Sequence, residues 1–258
     1  MASTDKSIIR KYVLGAYGVF FVLLLLTGIQ MMCFSNELIF WILKNVCSWA
    51  PTFAVLILFK DMFPNTSKRE QWKKWFSGKV AWKEIVIICG MQIFLFAVTI
   101  IAVSMYKKVA INELLDFSVT TMLMAFVNSA VSGATGEEAG WRGFLQPQCV
   151  QKKGLVKGSV IVGIIWGFWH APLWFISCEY VGIDLLKYIL FFMIMIVSAA
   201  VIIGIVYEKN QNLLVPILIH FFVNFTIAFV KDYILDISMF LAAVYFVCAL
   251  VMVMRVKR

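Results

Sequence analysis

The chain has 258 residues, of which 62% are hydrophobic and only 14% are charged, and its mean hydropathy is +0.91. Soluble domains are rarely more than about half apolar and carry about a quarter charged residues. This composition excludes an ordinary soluble protein and predicts an all-α, polytopic membrane helix bundle. The net charge of +9 favours contact with anionic lipid headgroups over a nucleic-acid partner, since no soluble domain is predicted that could display it.

An apolar segment needs about 20 residues to cross the hydrocarbon core as a helix. We predict about eight transmembrane helices, at residues 12–33, 38–59, 84–106, 118–136, 158–177, 186–207, 213–230 and 236–254. The first apolar run resembles a signal peptide but is too long, and no small-residue cleavage site follows it, so we interpret it as an uncleaved span. Residues 1–258 are predicted to form a single integral membrane domain.

The Lys and Arg residues are distributed unevenly among the predicted loops. If both termini are cytoplasmic, the inside segments carry Lys6, Arg10 and Lys11, the basic stretch 60–83, Lys152, Lys153, Lys157, Lys209, Arg255, Lys257 and Arg258. The outside segments then carry only Lys107, Lys108, Lys187 and Lys231. Because cytoplasmic loops are enriched in Lys and Arg, we predict a multi-pass cell-membrane protein with both termini in the cytoplasm.

The segment GATGEEAGWRGFLQP (133–147) places three charges inside the apolar part of the chain. Glu138 and Arg142 have helical i,i+4 spacing and can pair on one face. A purely structural role is the favoured interpretation of that pair. Glu137 points about 100 degrees away and has no ionic partner at this spacing, so it is free for another role.

Both histidines of the chain fall in predicted spans, where ionisable groups are costly and usually face the bundle interior. His170 lies in GIIWGFWHAPLWF, and His220 in VPILIHFFVNF, with Asn224 one helical turn after it. Together with Glu137, these groups could activate a water molecule and stabilise an oxyanion, which suits hydrolysis of a peptide bond. The alternative is that each histidine only forms a hydrogen bond to a neighbouring helix.

Other chemistries are less well supported. The chain has no H-E-x-x-H and no G-x-S-x-G motif, and its six cysteines are scattered singly. Two histidines and a glutamate could nevertheless bind zinc. Small-residue spacings at Gly136-x-x-x-Gly140 and Gly163-x-x-x-Gly167 predict close helix packing.

Three motifs resemble those of one family, in the family's order. EEAGWR (137–142) matches the E-E-x-x-x-R motif of the CAAX-protease and bacteriocin-processing family, also called the Abi family. WGFWH (166–170) is similar to its F-x-x-x-H motif, and HFFVN (220–224) to its H-x-x-x-N/D motif. The resemblance covers a motif-bearing core at about 118–230. Trp166 departs from the pattern, which usually has Phe there, and we expect it to change the shape of the cavity before the chemistry.

The resemblance implies a glutamate-dependent intramembrane endopeptidase related to the type II CAAX prenyl endopeptidases. Glu137 and His170 would activate water, and His220 and Asn224 would form the oxyanion hole. Glu138, Arg142 and Trp166 would support the site. No cofactor is implied, although a metal-dependent mechanism has been proposed for the family and stays open.

The substrate class expected from the resemblance is a peptide or protein associated with the lipid bilayer. The compact chain fits the bacterial branch of the family, which is linked to peptide maturation, bacteriocin immunity and regulation of membrane-protein partners. Two other functions stay open, a non-catalytic immunity or sensor-regulating protein and a transporter or proton relay. We expect the site cavity to open toward the cytoplasm, on the side of the loop 145–157.

Overall fold

The computed structural model describes residues 6–256, which are helical apart from loops and one isolated antiparallel bridge between Leu115 and Val230. The predicted all-α, polytopic membrane architecture is confirmed. The helices in chain order are α1 (Lys6–Cys33), α2 (Glu37–Cys47), α3 (Ala50–Ile57), α4 (Phe59–Met62), α5 (Lys68–Trp75), α6 (Trp82–Lys107), α7 (Ile111–Leu114), α8 (Val119–Val131), α9 (Gly133–Gly140), a π-helix (Trp141–Leu145), α10 (Gln146–Lys153), α11 (Leu155–Trp169), α12 (Ala171–Ile176), α13 (Gly182–Asn210), α14 (Leu214–Ile227) and α15 (Ile234–Val256).

Fewer helices than predicted are individually long and apolar enough to cross a membrane. Within residues 6–256, five helical segments are long and apolar enough to cross a membrane, namely α1, α6, α11 with α12, α13 and α15, and the bent pair α2–α3 would make six. The predicted spans 118–136 and 213–230 instead consist of the shorter helices α8, α9 and α14. The count of eight is therefore not confirmed.

The second predicted span bends by 60° between α2 and α3. Pro51 lies in the first turn of α3. Its missing N–H breaks no helical hydrogen bond at this position. A helix continuing from α2 is excluded, because the proline ring would clash with the preceding turn. The Trp49 indole donates a hydrogen bond to the Val131 carbonyl (2.8 Å), and the Thr52 hydroxyl donates to that of Gly136 (2.6 Å). These two bonds attach α3 to the end of α8 and to α9.

The helix α9 and the π-helix that follows it lie at the centre of the bundle, and all residues from 136 to 146 are buried. A Cβ at Gly136 would lie 2.8 Å from the Trp49 ring, and one at Gly140 would lie 2.7 Å from Pro51. A Cβ at Gly163 would likewise lie 2.8 Å from the backbone of Val197 on α13. The predicted helix-packing role of these glycines is confirmed.

The lysine-rich segments lie together at one end of the bundle. Lys11 pairs with Asp61 across 3.7 Å, and the Asn212 side chain donates to the carbonyl of Gly78 at 2.6 Å. At the opposite end, the Lys231 amide donates to the carbonyl of Leu114 at 3.0 Å. The segments predicted to be inside thus lie at one end of the bundle, and those predicted to be outside lie at the other. Which end faces the cytoplasm stays a prediction. Residues 257 and 258, also assigned to the inside, lie outside the described range.

Candidate active site

The Glu137 carboxylate is held by two indoles. It is 3% exposed, and its Oε2 accepts hydrogen bonds from Nε1 of Trp141 (3.1 Å) and of Trp166 (2.6 Å). Among residues 6–256, none donates a hydrogen bond to Oε1. The sequence analysis did not predict the hydrogen bond from Trp141, although its i,i+4 spacing to Glu137 was a usable signal.

The Glu138–Arg142 pair is fully buried, with 3.0 Å between Oε1 and Nη1. The same Oε1 lies 2.8 Å from Nδ1 of His220 on α14. The pair is therefore more than a local contact within one helix, because it links the first motif to the third. Helical spacing could not reveal that link, since the two residues are 82 positions apart.

The hydrogen bonds of the histidines fix their tautomers. His170 joins α11 to α12, and its Nδ1 lies 2.9 Å from the Trp166 carbonyl oxygen. A carbonyl can only accept, so Nδ1 carries the proton and Nε2 of the neutral ring is a lone-pair acceptor. In His220, Nδ1 lies 2.8 Å from Oε1 of Glu138, which also accepts from Nη1 of Arg142. Nδ1 therefore donates to this acceptor, and Nε2 is again the free nitrogen.

Three polar side chains converge at Gly133, the first residue of α9. A Cβ placed on Gly133 would lie 2.5 Å from Nδ2 of Asn224, 3.3 Å from Nε2 of His220 and 3.6 Å from Oε1 of Glu137. Gly133 also has a positive φ of +31°, a conformation that glycine adopts most easily. It is a site residue that the sequence analysis missed. Its position one helical turn before Glu137 was the available signal.

Trp166 lies between the charged pair and the histidine. Its ring is 4.3 Å from the Arg142 guanidinium carbon and 4.9 Å, between centroids, from the His220 ring. We expected the Phe-to-Trp departure to act on cavity shape. The structure shows that it also supplies a hydrogen bond to Glu137, which phenylalanine cannot donate.

A cavity of about 360 Å³ contains His170, His220 and Asn224 in its wall, and the Trp166 ring also lines it. Most of its other lining residues are apolar side chains of α13 and α15. The cavity extends toward Ile234 and the start of α15, which is the end opposite to the loop 145–157. We expected the cavity to open toward that loop, but the cavity extends toward the opposite end of the bundle.

The donor set gives no preformed metal centre. Within the described residues, no three His, Cys, Asp or Glu side chains are grouped closely enough to hold a metal ion. Glu137 is engaged by indoles, and Glu138 by Arg142 and His220. The arrangement instead places one carboxylate oxygen, a donor amide and an imidazole nitrogen around a common point, which suits proton transfer and oxyanion stabilisation.

Comparison with known proteins points to the same stretch of the chain. Residues 118–226 match the family described as type II CAAX prenyl endopeptidase Rce1-like. A curated relative from Methanococcus maripaludis, named CAAX prenyl protease 2, is 31% identical over 112 residues, which are 42% of this chain and 41% of the relative. The aligned part thus spans less than half of the relative's length. The motif-bearing segment of this multi-pass membrane protein is therefore similar to the family that its motifs indicated, and the resemblance to the CAAX-protease and bacteriocin-processing family is confirmed.

Proposed function

We propose that this protein is an intramembrane, glutamate-dependent endopeptidase that hydrolyses a peptide bond of a membrane-associated protein or peptide. The observation that carries the proposal is the convergence at Gly133. Polar atoms of Glu137, His220 and Asn224 surround one point beside Gly133. Separate polar groups in hydrocarbon would each carry a large desolvation cost, so a set held together and partly unpaired indicates chemistry.

Water activation falls to Glu137 and His170. Oε1 of Glu137 is free to accept a proton, while Oε2 is occupied by the two indoles. Nε2 of His170 is a second acceptor, which orients the water molecule. The water oxygen attacks the carbonyl carbon of the scissile bond, its proton passes to Glu137, and the carbonyl π electrons move to the oxygen. A positioned general base contributes about 10²–10⁴ in rate.

The resulting oxyanion is held by His220 and Asn224. Asn224 donates from Nδ2, the atom that faces Gly133. His220 can donate from Nε2 only when the ring is protonated on both nitrogens. The Glu138 carboxylate at 2.8 Å from Nδ1 stabilises that imidazolium. Collapse of the intermediate breaks the carbon–nitrogen bond, and the departing amine takes the proton from Glu137.

The substrate class follows from the surroundings of the site. The cavity that contains His170, His220 and Asn224 has mainly apolar walls, which favour a peptide carrying an apolar segment or a lipid group. The relative from Methanococcus maripaludis is named CAAX prenyl protease 2. We therefore propose a peptide that is anchored in the bilayer close to the bond that is cut.

The test is cleavage by the purified full-length protein in lipid nanodiscs. A fluorogenic peptide is presented with and without a C-terminal lipid group, and wild type is compared with Glu137→Gln. We expect wild type to cut the lipid-anchored peptide and Glu137→Gln to lose at least about 10²-fold of that rate. Its melting temperature should stay close to wild type, because the substitution preserves shape.

Two results would count against this function. If Glu137→Gln cleaves at the wild-type rate, Glu137 is not the base. If the folded wild type cleaves neither form of the peptide, the non-catalytic immunity or sensor-regulating role gains, with the motif residues holding the fold.

A further inference from the structure

We propose that Trp166 and Trp141 are positioning residues that hold Oε2 of Glu137 and thereby make Oε1 the reacting oxygen. The inference rests on the proposed function, in which Glu137 is the base. A carboxylate can rotate and exchange its two oxygens. Here both indole N–H groups donate to the same oxygen, at 2.6 and 3.1 Å, so rotation would break two hydrogen bonds in a buried site.

The geometry distinguishes the two oxygens of Glu137. Oε2 faces the indoles of α11 and the π-helix, whereas Oε1 lies 3.6 Å from the position of a Cβ on Gly133, where His220 and Asn224 also converge. Hydrogen bonds to the ionised form favour that form. The two indoles therefore aim the carboxylate so that Oε1 faces the groups around Gly133.

The indoles are themselves fixed by their neighbours. The Arg142 guanidinium lies over the Trp166 ring at 4.3 Å, and a cation at this position draws charge from the ring, which strengthens the N–H donor. Trp141 is fully buried and packs edge-on against Tyr12 and Trp169, with centroids 5.8 and 6.0 Å apart. Both donors thus have a defined direction before any substrate arrives.

The family pattern has phenylalanine at position 166, and phenylalanine has no N–H to donate. In this chain the shorter of the two bonds to Glu137 comes from that position. Trp166→Phe is therefore a natural test, because it keeps an aromatic ring and removes the donor. Trp141→Phe removes the longer bond.

Trp75→Phe is the matched control. Trp75 is also buried, and its indole donates to the Gly143 carbonyl at 3.1 Å, outside the set of groups around Glu137. The substitution removes one buried indole hydrogen bond without touching the carboxylate. Any change common to all three variants therefore reports packing alone.

The first readout is a titration of the Glu137 carboxyl by infrared difference spectroscopy in nanodiscs, the band being identified by its loss in Glu137→Gln. We expect Trp166→Phe to move protonation of this carboxyl upward by about one pH unit, as loss of one hydrogen bond to a charged group implies. Trp141→Phe should give a smaller upward shift, and Trp75→Phe none. This measurement does not require cleavage activity, so it tests the positioning role even if the proposed function fails.

The second readout is the pH dependence of kcat/KM with the lipid-anchored peptide. The acidic limb should move to higher pH in Trp166→Phe, by the same amount as the infrared titration, and kcat should fall about tenfold with little change in KM. Trp166→Phe and Trp141→Phe could instead leave both the infrared titration and the acidic limb of the kcat/KM profile unchanged, and lose only stability, as Trp75→Phe does. That result would show that Trp166 and Trp141 only fill space.

Discussion

Glu138 has a larger part in the site than its pairing with Arg142 suggested. One oxygen, Oε1, receives both Nη1 of Arg142 at 3.0 Å and Nδ1 of His220 at 2.8 Å. Glu138→Gln keeps the shape but leaves a buried guanidinium without a countercharge, which costs about 3–5 kcal/mol when one partner of a buried pair is removed. We expect a large fall in melting temperature together with a loss of activity, because the His220 imidazolium loses its support.

The control for Glu138→Gln is Asp184→Asn. Asp184 pairs with Lys187 at 2.9 Å, but both side chains are about half exposed, and such pairs contribute about 0–1 kcal/mol. Thermal unfolding and cleavage are measured on the same nanodisc samples. Equal melting temperatures for the two variants would contradict a buried, coupled role for Glu138.

The residues that carry the candidate site could be picked out from the sequence because they are rare in it. Two histidines and a charged hexapeptide stand out in a chain that is 62% hydrophobic. The contacts between them could not be predicted, since Trp166 reaches Glu137 across 29 positions and His220 reaches Glu138 across 82. Gly133 was missed because a glycine in an apolar span has a packing role by default.

At the scale of the elements, the break between α8 and α9 shapes the site. Gly133 begins α9 with φ +31°, and a Cβ there would lie 2.5 Å from the Asn224 amide nitrogen. The Asn224 amide is at the end of a flexible side chain, so in Gly133→Ala the amide would move aside and the protein would still fold. We expect a modest stability loss of about 1–2 kcal/mol from the positive φ and a fall in cleavage rate well beyond that of the control.

Gly182→Ala is the control for this helix break. Gly182 also begins a helix, α13, with φ +57°, and a Cβ there would have no atom within 4 Å. It should show a similar stability loss with the wild-type cleavage rate. If the two alanine variants keep the same activity, the convergence of side chains at Gly133 has no part in catalysis.

Apolar periodicity predicted where the helices are but not where they break. Three predicted spans are interrupted, at Ser48–Trp49 between α2 and α3, at Ser132 between α8 and α9, and at His170 between α11 and α12. Pro51 and Pro172 follow two of these breaks within the first turn, and proline is well tolerated only there. Each break is only one or two residues long, so hydropathy averaged over about 20 residues joined the helices on either side into longer spans.

At the scale of the whole molecule, the basic segments are gathered at one end of the bundle. There, Lys11 forms an ion pair with Asp61, and the Asn212 side chain donates a hydrogen bond to the Gly78 carbonyl. Segments on the cytoplasmic side of a membrane are enriched in Lys and Arg. The arrangement therefore predicts that this end faces the cytoplasm, and that the start of α15 faces the other side.

Thiol labelling tests this orientation with a variant that lacks the six native cysteines. Single cysteines replace Lys153, at the end of α10, and Asp232, between α14 and α15, since both side chains are exposed. In intact cells, an impermeant maleimide should label Asp232→Cys at once and Lys153→Cys only after the membrane is opened. Both should label equally in detergent, which controls for reactivity. The reverse pattern in intact cells would place both termini outside, and the cavity that contains His170 and His220 would then extend toward the cytoplasm, because its wall runs to the start of α15.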